Sequence, residues 1–192
     1  MSHVFMADIP AYPRPLFVTD AAININPRLV QKKDIVQNAI GLFLCAEQRA
    51  PRVALLSAVG TVNEEIPSTL DATALCKMAE RGQITGALLD GPLAFDNAIS
   101  EEAAAIKGIQ SQVAGKANIL VVPDLVSGNI LLKQLTLFSG AYTAGIVMGA
   151  QVPIILTSRA STELARKASC ALALLKKIPG LRTGSFRESV TP

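Results

Sequence analysis

Short runs of consecutive apolar residues alternate along the chain with longer stretches in which apolar positions recur every three or four residues. The runs at residues 3–7, 16–19, 52–57, 84–90, 118–123, 144–148 and 152–157 predict strands. Between the first two, Pro10, Pro13 and Pro15 oppose regular pairing. The first helical stretch carries Leu29, Val36, Ile40 and Phe43 on one stripe and Gln31, Asp34 and Asn38 on the other. Asn26 is the predicted N-cap, with Pro27 at the first helical position. A second helix is predicted to start at residues 68–71, a capping-box-like Ser-Thr-Leu-Asp, and to run through Leu75 and Met78 to Gly82. Further helices are predicted over 100–108, 127–139 and 161–177. Continuous apolar strands alternating with amphipathic helices define an α/β fold, a mostly parallel sheet with helices on both faces. From about residue 181 the period is lost, which predicts a frayed tail.

Composition sharpens this picture. Half of the 192 residues are hydrophobic, 17% are charged and the mean hydropathy is +0.39, values that demand extensive burial. The longest apolar stretches, 119–122 and 152–156, are far shorter than the ~20 residues of a membrane helix. Met1-Ser2-His3 opens without a basic and then apolar leader, so the expected location is the cytoplasm, with no membrane partner. From residue 159 onward Arg159, Arg166, Lys167, Lys176, Lys177, Arg182 and Arg187 outnumber Glu163 and Glu188. With no Trp and 4% aromatics there is no stacking platform, so this basic end suits a small anion or a solvated tail rather than a nucleic acid.

The chemistry available is narrow. Cys45, Cys76 and Cys170 are widely spaced without a C-x-x-C, and the single histidine, His3, lies at the N-terminus. A disulfide framework, a Cys/His zinc site and a histidine-activated nucleophile deep in the fold all lack their parts, so acid–base work falls to carboxylates and hydroxyls, and no metal is expected. The cysteines lie on predicted helices and read as small buried apolar side chains. Residues 108–117 superficially resemble a P-loop, but the spacing is too long and no Ser/Thr follows Lys116; no G-x-G-x-x-G occurs.

In open α/β sheets ligands bind beyond the carboxyl ends of the strands, where loops lead into helix N-termini. Four loops qualify: 57–63, 90–97, 123–129 and 157–160. In the third, Asp124 is followed by Ser127-Gly128-Asn129 opening a helix, where backbone and side chains offer donors to an anion; an N-cap with a flexible turn is the plainer reading. In the fourth, Ser158 and Arg159 precede a helix in the manner of a phosphate clamp, against which stands capping plus a surface arginine paired with Glu163, four residues on. Asp90 and Asp96 straddle a Gly-Pro turn, either as paired carboxylates or as turn formers.

Together the segments 67–86 (Pro-Ser-Thr-Leu-Asp-Ala through Arg-Gly-Gln-Ile-Thr-Gly), 90–98 (Asp-Gly-Pro-Leu-Ala-Phe-Asp-Asn-Ala), 122–129 (Val-Pro-Asp through Ser-Gly-Asn) and 153–159 (Pro-Ile-Ile-Leu-Thr-Ser-Arg) resemble the phosphate acetyl/butyryltransferase family. The likeness is nearest to phosphate butyryltransferases and to the phosphotransacylase half of fusions with an enoyl-CoA hydratase-like region, and runs to about Leu175. It implies reversible acyl transfer, acyl-CoA plus phosphate giving acyl phosphate plus CoA, with acetyl or butyryl groups and no metal or redox cofactor. It implies an isocitrate/isopropylmalate dehydrogenase-like fold of two α/β domains flanking a cleft. Residues 1–149 would then be the second domain and 150–192 the returning segment of the first. Family members are longer, and the N-terminal portion would supply most of the first domain.

On this resemblance Ser158 would donate to the developing oxyanion, and Arg159 would grip phosphate or CoA. Asp124, Ser127, Gly128 and Asn129 would hold phosphate at a helix N-terminus, with Asp90, Asp96 and Asn97 also toward substrate. The acetyltransferase branch carries an aspartate proposed to deprotonate the CoA thiol where an ungapped match puts Ala165 here, so Glu163 stands as the nearest acid. The expected assembly is a homo-oligomer, a dimer. The competing readings are a non-catalytic remnant serving as an oligomerisation or ligand-binding module, and an α/β oxidoreductase, against which the absent nucleotide fingerprint counts.

Overall fold

The computed structural model describes residues 1–159 and 161–177; the tail expected from about 181 lies outside the described residues. Six strands form one sheet in the order β4-β3-β5-β2-β1-β6: β1 Ser2–Asp8, β2 Leu16–Thr19, β3 Arg52–Leu56, β4 Leu88–Leu93, β5 Ile119–Val121 and β6 Tyr142–Met148. β2, β3, β4 and β5 pair in parallel, whereas β1 runs antiparallel to both β2 and β6. The sheet is therefore mixed and mostly parallel. Because β1 alone is reversed, its first residues share an edge with the carboxyl ends of the other strands: Ser2 stands opposite Met148, and Val4 opposite Thr19.

The central strands are buried on both faces, and their alternation divides the core. Phe17, Val53, Leu55, Ile119 and Val121 face one side, where α1 (Leu29–Glu47), α2 (Pro67–Glu80) and α6 (Glu163–Lys177) pack through Val36, Ile40, Phe43, Leu75 and Leu172. Val18, Ala54, Leu56, Leu120 and Val122 face the other side, covered by α3 (Phe95–Ile99), α4 (Glu101–Ile106) and α5 (Leu125–Phe138) through Ala98, Ala104 and Leu135. A period of two along each strand is what a doubly covered sheet requires. α6 is seated on β6 and α1, and the Ser169 hydroxyl accepts the Gly145 N–H at 3.0 Å and donates to the Ala165 carbonyl at 2.7 Å. No helix among the described residues is long and apolar enough to cross a membrane.

Four expectations are corrected. Residues 152–157 do not form a strand; β6 meets them only at a Val147–Ile154 bridge, and Val152, Ile154, Ile155 and Leu156 are exposed. The strand expected over 84–90 begins at Leu88, because Gly86 at φ +86° turns the chain before it can extend, although Ile84 still reaches the core. α1 begins at Leu29, after Arg28, whose backbone N–H donates to Gln31 Oε1 at 2.9 Å, so Asn26 and Pro27 lie outside it. α2 begins at Pro67, which puts Ser68 inside rather than at the cap.

Candidate functional site

Two grooves flank α5, one at its N-terminal end beyond the carboxyl edge of the sheet and the other along its length as far as the start of β6. Asp124 caps this helix, its carboxylate accepting the Ser127 N–H at 2.8 Å, while the Ser127 hydroxyl donates back to the Asp124 carbonyl at 3.0 Å. The start of α5 is thereby fixed in direction. Gly128 is buried beneath, where an added Cβ would lie 2.7 Å from Val122 Cγ2 and 3.1 Å from Ala21. Only glycine lets α5 sit this close to the end of β5.

The loop after β2 is organised by Asp20, a residue the hydrophobic pattern does not single out. Its carboxylate, 3% exposed, accepts the backbone N–H groups of Ala22 and Ile23 on Oδ1 and of Asn24 on Oδ2, together with the Asn24 side-chain amide. This loop is stitched to α5, with Leu125 N–H donating to the Ile25 carbonyl at 3.0 Å and Asn129 Nδ2 to the Ala21 carbonyl at 3.4 Å. The available signal was an aspartate followed by small residues, the composition of a side-chain-to-backbone turn.

The first groove, about 550 Å³, lies beyond β3 and β5 between Ser57, Ser68, Phe95, Asp124, Ser127 and Leu131. The Ser57 and Ser68 hydroxyls are 2.8 Å apart. At its flank Lys32, on α1, donates to Asp71 Oδ2 on α2 at 2.7 Å, its side chain 8% exposed. The second groove, about 610 Å³, runs between α5, the β1–β6 edge and the approach to α6, with Ala22, Asn129, Lys133, Ser158, Thr162 and Ala165 in its wall. Asp124 and Ser127 thus face one groove, and Asn129 and Ser158 the other, on either side of α5.

The remaining predicted residues lie apart. Arg159 sits exposed on the turn before α6. Glu163 pairs at 2.7 Å with Lys167, one helical turn on, rather than with Arg159, and both partners are exposed. Asp90, on β4, accepts the N–H of Gly91. Asp96, on α3, is exposed and accepts from Lys107 Nζ at 2.9 Å; this hydrogen bond, ahead of the backbone donors, holds its carboxyl below the usual value. Asn97 is fully buried, its Oδ1 accepting from Lys107 and its carbonyl from Gly115 N–H, so it joins α3 to the loop after α4. Asp90 and Asp96 turn their carboxylates to different partners.

The cysteines depart from expectation: Cys45 and Cys170 are exposed, because they sit off the buried stripes of α1 and α6. Cys76 is half-buried with Sγ 3.7 Å from the Gly91 carbonyl, and burial, then the negative charges of Asp90 and Glu80, push its thiol up to about 12. Among the described residues no cluster of three or more His, Cys, Asp or Glu is arranged to hold a metal ion.

Comparison with known proteins identifies what the chain is similar to. A family model described as "Phosphate acetyl/butaryl transferase" matches residues 1–173. The chain is 63% identical over 175 residues to the "Phosphate acetyltransferase" of Rhizobium meliloti, covering 91% of this chain and 55% of that protein. It is 47% identical over 174 residues to the "Probable phosphate butyryltransferase" of Bacillus subtilis, covering 91% of this chain and 58% of that one. Among solved structures, a branched-chain phosphotransacylase from Enterococcus faecalis superposes with a TM-score of 0.83 at 36% identity, over 91% of this chain and 62% of that chain. The chain spans a little over half the length of these curated relatives.

Proposed function

Since the chain belongs to the phosphate acetyl/butyryl transferase family, we propose that it serves in transfer of an acetyl or butyryl group between coenzyme A and inorganic phosphate. The observation that carries this reading is that two segments of the resemblance, 122–129 and 153–159, line the grooves on either side of α5: Asn129 and Ser158 share one groove, and Asp124 and Ser127 line the other. Attack of a CoA thiolate on an acyl phosphate requires the thiol proton removed, the oxyanion held and the phosphate charge neutralised. In this reading Ser158 donates to the oxyanion, and Arg159, a guanidinium fork next to it, takes phosphate or the CoA phosphates. Gly128 and Asn129 contribute the helix start, and Asp124 directs it. Glu163 is the acid nearest the expected base position, half a turn from Ala165 in the groove wall. Asp90, Asp96 and Asn97 belong to the same proposal as substrate-side residues, although their partners here are within the fold.

The reading includes CoA and phosphate as substrates without metal or redox cofactor, a cytoplasmic setting and a dimer. It also divides the chain at residue 149, with 1–149 as the second domain and 150–192 as the returning segment of the first, whose helix α6 rests here on β6. The test is phosphate-dependent thiol release from acetyl-, propionyl- and butyryl-CoA by the 192-residue chain and by a chain extended to the length of its relatives. Acyl transfer by the extended chain, weakened by Arg159→Ala by about 1.5–3 kcal/mol and partly recovered by Arg159→Lys, is the expected outcome. Unchanged kinetics for Arg159→Ala would remove that residue from the site, and absence of transfer in both chains would overturn the function.

A further inference from the structure

The single histidine is not a terminal ornament. His3 lies in β1 at the edge where the other strands end, and its side chain is wholly buried. Gly145 on β6 makes the room: an added Cβ there would come within 2.5 Å of His3 Cε1 and 2.9 Å of Phe5 Cδ1. The ring rests against Phe5 with centroids 4.0 Å apart. Its Nε2 is 2.7 Å from the carbonyl oxygen of Leu156, across 153 residues of sequence.

The chemistry of this contact fixes the proton. A carbonyl only accepts, so Nε2 carries the hydrogen and donates, and Nδ1, buried and without a hydrogen-bond partner, is left bare. Burial lowers the pKa of the ring, ahead of the opposing effects of the Leu156 carbonyl and Asp20, and so favours the neutral form to which this tautomer belongs.

What the bond holds is the stretch leading to Ser158 and Arg159. Residues 152–157 leave Val152 mostly exposed and Ile154, Ile155 and Leu156 exposed by about two fifths, so side-chain packing fastens them only in part. The Val147 N–H reaches the Ile154 carbonyl at 2.8 Å, and His3 takes the carbonyl two residues further on, nearest Ser158. We infer that His3 is a positioning residue: its Nε2–H anchors Leu156 to the sheet and thereby holds Ser158 in the wall of the second groove and Arg159 beside it. Its bearing on catalysis rests on the acyltransferase reading; the anchoring itself does not.

Three measurements on the 192-residue chain test this. With one histidine in the sequence, a nitrogen–proton correlation spectrum of the ring gives a single pattern. A neutral ring protonated on Nε2 is expected, and a proton on Nδ1 overturns the proposal without any variant. Trypsin cleavage after Arg159, followed by mass and compared with cleavage after exposed Arg81, reads the anchoring directly. His3→Phe is expected to accelerate cleavage after Arg159 by roughly tenfold or more with Arg81 unchanged, while His3→Gln, whose amide N–H can reach the same carbonyl, stays within about threefold of the parent. Equal cleavage of parent and His3→Phe, or failure of His3→Gln to rescue, overturns it. In acyl transfer, His3→Phe should raise KM for phosphate or CoA, and His3→Gln restore it. If neither the 192-residue chain nor the extended chain transfers an acyl group, the functional reading fails, while the ring spectrum and the cleavage pattern still decide the anchor.

Discussion

Replacing Asp20 by alanine should damage this protein more than any surface change of similar size. The carboxylate is buried and accepts three backbone N–H groups, from Ala22, Ile23 and Asn24, plus the Asn24 side-chain amide. Each hydrogen bond to a charged acceptor is worth about 1.5–3 kcal/mol, and an unpaired buried donor costs about 1–3 kcal/mol. The four cannot simply be added, since residues 22–24 are only half-buried and water will recover part of the loss. A net destabilisation of about 3–4 kcal/mol is expected, which for a chain of this length lowers the thermal midpoint by roughly 6–16 °C. Asp20→Asn keeps Oδ1 for two donors but turns an NH₂ toward Asn24, so it should fall between, at about 1.5–3 kcal/mol. Urea titration with an unchanged slope measures both. Hydrogen exchange supplies the local signature, because the Leu125 amide is bonded to Ile25 in the same loop and should lose protection first. A cost below about 1 kcal/mol for Asp20→Ala, or retained protection at Leu125, would refute the assignment of this carboxylate as organiser of the site loop.

Gly128→Ala places a methyl group 2.7 Å from Val122 Cγ2 and 3.1 Å from Ala21, and should cost about 1–3 kcal/mol in urea titration by pushing α5 from the sheet. A thiol reagent at pH 8 should modify Cys45 and Cys170 rapidly in the folded protein and Cys76 only after unfolding, because a thiol raised to about 12 holds little thiolate. Since the folded state favours the protonated Cys76, its contribution to stability is present below the unfolded thiol's ordinary value and is lost as pH rises toward 12.

Much of this arrangement could be read from the residues. Residues 16–19 were predicted as a strand and form β2. Three of the four stripe positions of α1, Val36, Ile40 and Phe43, are buried, because doubly covered strands and packed helices impose periods that sequence displays directly. The same rule misread 152–157: an apolar run signals a strand only if a neighbour satisfies its edge, and beyond β6 that partner is reduced to a single bridge. α3 escaped notice because five residues are too few to show a helical period. On α6 the buried Ala168 and Leu172 are four apart, which leaves Cys170 on the opposite side, a distinction of face rather than of residue type. At the site, Asp124 and Ser127 were legible as polar residues beyond the end of β5, and Ser158 as one ahead of α6. Asp20 was not, since its partners are local backbone amides, and His3 was not, since its partner lies 153 residues away.

The strand order also governs the sequence of events in which the molecule can assemble. β1 with β2, and β3 with β4, are pairs of strands that follow one another along the chain, yet no bond joins the two pairs until β5 slots between β2 and β3. That keystone is three residues long, Ile119–Val121, and all of it is buried. During synthesis, β1 to β4 therefore emerge as two half-sheets with open inner edges before β5 is available. Unpaired edges of this kind invite association with other chains, and pairings between distant residues form slowly. The vulnerable interval ends when β5 arrives, and the outer edge of β1 waits longer still for β6.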